Sequence, residues 1–369
     1  MPEIQLLRSR EQNKHSHQTP IRDQQRPKPS TITPYSIATM ESYKLDLETQ
    51  HPNTIKIVDQ FNVYRAPYKH VNNRPIYAFF LVPKVLPAGP RPLMVRYHGG
   101  GWTEGEAEAS LRPFLLEMTR DSGAVLVAPD YRLRPEHELA DGVQDSRDFW
   151  RWVEDGGAQA CLASTPATAG VVLDASNVAV AGESAGGYHT AQVALLGMTS
   201  LPIKCLIIQY PALMVGRKLR DEFERDEGSS RPIFAEKVPY SVVEKHLAGL
   251  EPGHVCSRAP FAARMDLCAA LMQAGKMANV EGENAYLDPW VSLETAGKLP
   301  PILLYHSKED EAVSWEDTNE WAAKLKRLQP DVPLYLSFQT GSHVFDVNHT
   351  TREPWLKEPL EFVSKYWPA

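Results

Sequence analysis

The sequence predicts an α/β fold in which a mostly parallel, doubly wound sheet is covered on both faces by helices and carries a helical cap insertion. Three observations predict it. From Phe61 onward, short apolar runs bounded by Gly, Pro or Asp alternate with segments of helical periodicity. The runs are apolar throughout, as strands buried on both faces are. Residues 211–298, about ninety positions, separate two of the runs, which is far more than a crossover needs and fits a cap over a pocket.

Taken in chain order, residues 1–45 are rich in Gln, Ser, Pro, Lys and Arg, with Pro20, Pro27, Pro29 and Pro34 spaced against any long helix or strand. They read as a disordered extension, leaving 46–369 as the folded domain. His15 and His17 stand at metal-binding spacing but read as a solvated pair in a polar tail. "FNVYR" and "IYAFFLV" flank the turn-prone "VNNRP" and read as a hairpin. The buried strands follow as "LMVRY" at 93–97, "AVLVAP" at 124–129, "NVAVAG" at 177–182, "CLIIQY" at 205–210, "ILLYH" at 302–306 and "LYLSF" at 334–338.

Between them, Leu111, Phe114, Leu115 and Met118 follow the i, i+3, i+4, i+7 rule and stop before Gly123. Ala140, Val143, Trp150 and Val153 mark a second helical stripe. Within 211–298, the charged "GRKLRDEFERDEGSSRP" precedes a helix near "SVVEKHLAGL" and another on which Phe261, Met265, Cys268 and Met272 share an apolar face.

Composition narrows the function. A formal charge of −7 without a long basic run argues against a nucleic-acid partner and leaves small molecules. Cys161, Cys205, Cys256 and Cys268 show no C-x-x-C pairing, so they read as free thiols and give neither a disulfide framework nor a zinc site. No apolar stretch reaches transmembrane length and "MPEIQLLRSREQNKH" lacks the order of a secretion signal, so the expectation is a soluble, cytoplasmic protein.

Two motifs carry chemistry. In "VAVAGESAGGYHT", Ser184 sits in G-x-S-x-G between an apolar strand and a small-residue helix. That setting lifts the serine hydroxyl off a sharp turn beside the free N–H groups of a helix N-terminus, where it can act as a nucleophile. "YHGGGW" ends the strand 93–97, and without Cβ atoms its backbone N–H groups can approach an oxyanion. Gly100 and Gly101, with the N–H of Ala185, are the candidate donors, Gly99 serves the turn or joins them, and His98 orders the loop. A serine nucleophile needs a base and the base a carboxylate, both placed past the ends of later strands. "SKEDEAV" offers Glu309, Asp310 or Glu311, and "QTGSHVF" offers His343. His189, His306 and His349 are the weaker alternatives, the first two belonging to a helix and a strand end.

Together "HGGGW", "DYRLRPEH", "GESAGG", "LDPWVSL", "LPPILLYHSKEDEAV" and "GSHVF" resemble the hormone-sensitive-lipase group of α/β-hydrolase fold serine esterases over residues 60–367. The resemblance implies a catalytic triad of Ser184, Asp310 and His343 and an oxyanion loop over Gly99, Gly100 and Gly101. Asp310 is singled out because it stands three residues before Val313, as in the group's G-x-x-D-x-x-V, with Ser307 where glycine is usual. Asp130, Arg132 and Glu136 of "DYRLRPEH" are expected to be an ion network bracing the oxyanion loop, with Arg134 where the group commonly has a small residue. The implied reaction is hydrolysis of small to medium hydrophobic carboxylic esters through an acyl-enzyme, with no metal or organic cofactor. Trp102, Trp290 and Phe345 near the motifs add to the apolar expectation. The rival readings are a lyase, cyclase or transacylase on the same fold and a non-catalytic ligand-binding protein.

Overall fold

Residues 40–216 and 236–368 are described by a computed structural model. The N-terminal extension up to residue 39 and most of the charged stretch at 216–232 lie outside the described residues. Among the described residues the nine strands are β1 (Glu41–Ser42), β2 (Phe61–Val71), β3 (Arg74–Pro83), β4 (Arg91–Tyr97), β5 (Val125–Pro129), β6 (Leu173–Glu183), β7 (Ile203–Gln209), β8 (Ile302–Ser307) and β9 (Leu334–Gln339). They form one sheet in the order β1-β2-β3-β5-β4-β6-β7-β8-β9. β1, β2 and β3 run antiparallel up to the β3–β5 pair, and every pair from β5 to β9 is parallel. Parallel neighbours require crossovers, and here these are helices on both faces.

In chain order the helices are α1 (Pro52–Val58), α2 (Pro113–Asp121), α3 (Leu139–Glu154), α4 (Gly157–Ala163), α5 (Ala185–Leu195), α6 (Ser241–Ala248), α7 (Met265–Gln273), α8 (Pro289–Ser292), α9 (Trp315–Leu328) and α10 (Lys357–Ser364). The sheet divides the core in two. Alternation between buried and exposed positions is absent from its centre: β4 is buried at all seven positions, because both its faces carry helices. Ala179 and Ala181 of β6 face one cluster with Met94, Leu126 and Phe114, while Val178 and Val180 face the other with Val95, Phe149 and Trp150.

Three expectations are corrected. β9 is half-buried at every position because it is the outer strand of the sheet. The helix expected from Leu111 starts at Pro113, whose fixed φ and missing N–H suit a first helical position; Leu111 is buried in the turn before it. Phe261 does not lie on the helix of Met265, Cys268 and Met272, since Ala262 at φ +63° breaks the chain direction before α7 begins.

The four cysteines are free. Among the described residues, no helix is long and apolar enough to cross a membrane.

Candidate active site

The four central loops of the candidate site leave the C-terminal ends of β4, β6, β8 and β9, where a doubly wound sheet opens its ligand crevice. Ser184 lies between β6 and α5 at φ 55°, ψ −117°, a conformation that costs a non-glycine residue roughly 1–3 kcal/mol. The surrounding packing enforces it. A Cβ on Gly182 would overlap the Gly186 carbonyl, and one on Gly186 would overlap the Tyr97 carbonyl. Both glycines are therefore needed to bring the first turn of α5 against β4 and β6.

The Ser184 hydroxyl lies 3.1 Å from His343 Nε2, and His343 Nδ1 donates to Asp310 Oδ2 at 2.7 Å. Asp310 Oδ1 accepts the backbone N–H groups of Ala312 (2.9 Å) and Val313 (2.8 Å). Burial pushes the Asp310 carboxyl up, but hydrogen bonds from His306 and His343 outweigh it and hold the group well below the usual carboxylate range. Its neighbours face the same loop differently: Glu309 accepts the Gly341 N–H at 2.7 Å and Glu311 the His343 N–H at 2.8 Å. Of the three adjacent carboxylates, Asp310 meets the imidazole and the other two hold backbone.

In the glycine loop, Gly99 N–H donates to Glu183 Oε1 at 3.3 Å. The N–H groups of Gly100, Gly101 and Ala185 have no acceptor among the described residues. Gly100 (φ +109°) and Gly105 (φ +100°) stand where a Cβ would overlap Glu104 and His98, so the loop folds back on itself only with glycine. His98 is fully buried, donates from Nδ1 to Gly99 O at 2.7 Å and stacks on Tyr131 at 4.3 Å between ring centroids. Burial pushes its imidazole down to about 3, so it orders the loop as a neutral ring.

Of the alternative histidines, His306 meets Asp310, and the other two are engaged elsewhere. His189 pairs with the Ser146 hydroxyl at 3.1 Å, and His349 accepts the Trp355 indole N–H at 3.0 Å. The "DYRLRPEH" charges pair outward, not with one another. Asp130 accepts the Ala107 N–H at 2.8 Å and meets Arg258 at 3.1 Å; Arg132 pairs with Asp145 at 2.9 Å; Glu136 holds Arg264 at 2.6 Å and His246 at 2.8 Å. Arg258 and Arg264 belong to the chain between β7 and β8, so these pairs also fasten that segment.

Sequence reasoning missed a buried network under the site. Arg96 pairs with Glu183, the residue before the serine; Arg112 donates to the Tyr210 hydroxyl at 2.6 Å; and Asp346 accepts the hydroxyls of Tyr210 (2.6 Å) and Tyr305. Arg112 also lies 3.7 Å from Glu183 and 3.4 Å from Asp346. Two cations thus balance two carboxylates in a buried space. Only charged residues inside otherwise apolar strand and loop patterns, such as Arg96 in "LMVRY", could have signalled it.

Ser184 and His343 open on a cavity of about 380 Å³, whose walls include Phe261, Met265, Cys268 and Met272 on one side and Val313, Val344 and Val347 near His343. The α7 wall presses on the glycine loop: a Cβ on Gly101 would lie 2.8 Å from Cys268 Sγ. His51 and Arg112 also line the cavity, and burial with the Arg112 charge lowers the His51 imidazole from its usual range. Trp102 is buried against Tyr188, Phe345 packs on Tyr210 and Tyr305, and Trp290 lies under the Lys324 ammonium at 4.2 Å; none of the three lines the cavity.

Residues 94–280 match a family described as alpha/beta hydrolase fold, and residues 263–368 match one described as prolyl oligopeptidase family. Among curated proteins, the chain is 27% identical to a probable carboxylesterase of Phoma sp. over 319 residues, covering 81% of this chain and 94% of that protein. It is 32% identical over 164 residues to a carboxylesterase of Mycobacterium tuberculosis, covering 44% of this chain and 46% of that one. Among solved structures, esterase B from Lactobacillus rhamnosis aligns with a TM-score of 0.55 at 16% identity, over 84% of this chain and 86% of that one, a likeness of fold.

Proposed function

This chain belongs to the alpha/beta hydrolase fold family, and we propose that within it the protein hydrolyses carboxylic esters of small to medium hydrophobic substrates through an acyl-enzyme on Ser184. The observation that carries the reading is the hydrogen-bonded line Ser184–His343–Asp310 opening on an apolar cavity beside three N–H groups that have no acceptor among the described residues. The carboxylesterases among the similar proteins support the ester as substrate.

Ser184 Oγ attacks the ester carbonyl as His343 Nε2 takes its proton, and Asp310 keeps Nδ1 protonated and aimed. The N–H groups of Gly100, Gly101 and Ala185 receive the oxyanion, each worth roughly 3 kcal/mol of transition-state stabilisation. Gly99, whose N–H is held by Glu183, shapes the loop. His343 then returns the proton to the leaving alcohol, and a water activated by the same ring hydrolyses the acyl-enzyme. No step calls on a metal or organic cofactor. The cap, at about 211–298, supplies the selective wall.

Hydrolysis of a short acyl p-nitrophenyl ester by wild type but not by Ser184→Ala tests the reading. Equal rates for the two proteins would defeat it. A peptide p-nitroanilide assayed in parallel separates ester from amide cleavage.

A further inference from the structure

We propose that His306 is a positioning residue for Asp310, a second imidazole that shares the carboxylate oxygen used by His343 and so fixes both the aim and the basicity of the triad; this rests on the serine-hydrolase reading above. His306 ends β8, four residues before Asp310, and is fully buried. Its Nε2 lies 3.1 Å from Asp310 Oδ2 and 3.1 Å from Val313 O. Both partners only accept, since one is an ionised carboxylate and the other a carbonyl, so Nε2 carries the proton. Nδ1 then faces the Thr318 hydroxyl of α9 at 2.8 Å, which holds the ring from behind.

Asp310 Oδ2 therefore accepts from two imidazoles, His343 at 2.7 Å and His306 at 3.1 Å, while Oδ1 is occupied by two backbone N–H groups. All the usual acceptor directions of the carboxylate are taken, so it cannot rotate away from His343. The charge is shared as well. A donor that stabilises the carboxylate weakens its pull on the His343 Nδ1–H.

The other polar groups around the pair are accounted for. Tyr210, at the end of β7, turns its ring to His306 (6.5 Å) and His343 (5.1 Å), and its hydroxyl is engaged by Arg112 and Asp346. Glu309 and Glu311 hold the backbone at 341 and 343. The Ser307 hydroxyl, beside His306, holds the Gly341 carbonyl and the Glu309 N–H, and Ser184 lies 3.1 Å from His343 Nε2.

The test compares His306→Leu, which removes the donor, with His306→Gln, whose amide can restore an N–H near the Nε2 position. NMR titration of His343 in substrate-free protein and kcat, KM and pH profiles on a p-nitrophenyl ester are the readouts. His306→Leu should move the His343 titration and the acidic limb of kcat/KM to higher pH and lower kcat about fivefold at unchanged KM, the worth of one hydrogen bond. His306→Gln should lie close to wild type. An unmoved titration in His306→Leu, or the same shift in both variants, would overturn the proposal in favour of simple packing.

If His306→Leu does not fold, Thr318→Val decides: loosening the ring should shift His343 in the same direction, and an unmoved titration counts against the role. Because the titration needs no substrate, a wild type inert on esters defeats the ester reading alone, whereas active enzyme with an unmoved titration defeats this one alone.

Discussion

The nucleophile turn and the wall of α7 face each other across one cavity, yet they are held by different forces. Around Ser184 the restraint is backbone against backbone, with glycines packed so closely that Gly182 and Gly186 have no room for a methyl group. The segment leading into α7 is held largely by side chains, beside a backbone bridge between Ala259 and Gly105. Glu104 accepts the N–H groups of Ala262 and Arg264 at 3.0 Å each, Arg264 reaches Glu136, and Arg258 reaches Asp130, Glu106 and Glu108. Backbone packing tolerates almost no change of residue, whereas a wall of Phe261, Met265 and Met272 can change size while its anchors stay in place. The contrast teaches that reactivity and selectivity can vary separately in this protein.

The largest effects are expected at the reacting groups. Ser184→Ala and His343→Ala should each lower ester turnover by about four to six powers of ten without loss of melting temperature. Asp310→Asn should cost far more activity than Glu309→Gln or Glu311→Gln, because only Asp310 meets the imidazole. A reversed ranking in kcat would reassign the acid.

Next in size is the turn itself. Gly186→Ala places a methyl group on the Tyr97 carbonyl and should destabilise the fold by about 3 kcal/mol or more, read as a lowered denaturation midpoint. Met265→Ala, on the opposite wall, should barely move that midpoint but change the preference among acetyl, butyryl and octanoyl esters by about tenfold. Parallel losses of kcat/KM across the series would mean that α7 supports the site without selecting.

The smallest effect is a pH dependence. Asp310 is held below its unfolded value, so its contribution to stability is complete above the ordinary carboxylate range and is lost as pH falls through its lower native value. The stability gap between wild type and Asp310→Asn should therefore narrow as pH drops below about 4. Denaturant midpoints across that range check it, and a gap that widens with acid would contradict the hydrogen-bond account.

Where local sequence sets backbone geometry, little was hidden. The runs from "LMVRY" to "LYLSF" are the parallel strands, with ends displaced by a few residues, and the glycines of "HGGGW" and "GESAGG" stand where neighbouring segments approach too closely for a side chain. Phe261 was misplaced because helical spacing counts residues without sensing a chain reversal at Ala262, although it reaches the same cavity from the preceding turn. The burial of β9 was overestimated for a related reason: apolar runs do not say which strand ends the sheet.

The order of strands and helices, the serine turn, the glycine loop and the presence of a carboxylate and a histidine past later strands are each written in contiguous residues. The resemblance singled out Asp310, but it took the folded chain to show that Glu309 and Glu311 hold backbone beside it, that His306 shares its oxygen with His343, and that Arg112 is joined through Tyr210 to Asp346. Those contacts depend on where side chains point when β7, β8 and β9 lie side by side. Adjacent carboxylates on a loop diverge by the direction of each Cα–Cβ bond, and that direction is fixed by packing between segments far apart in the chain.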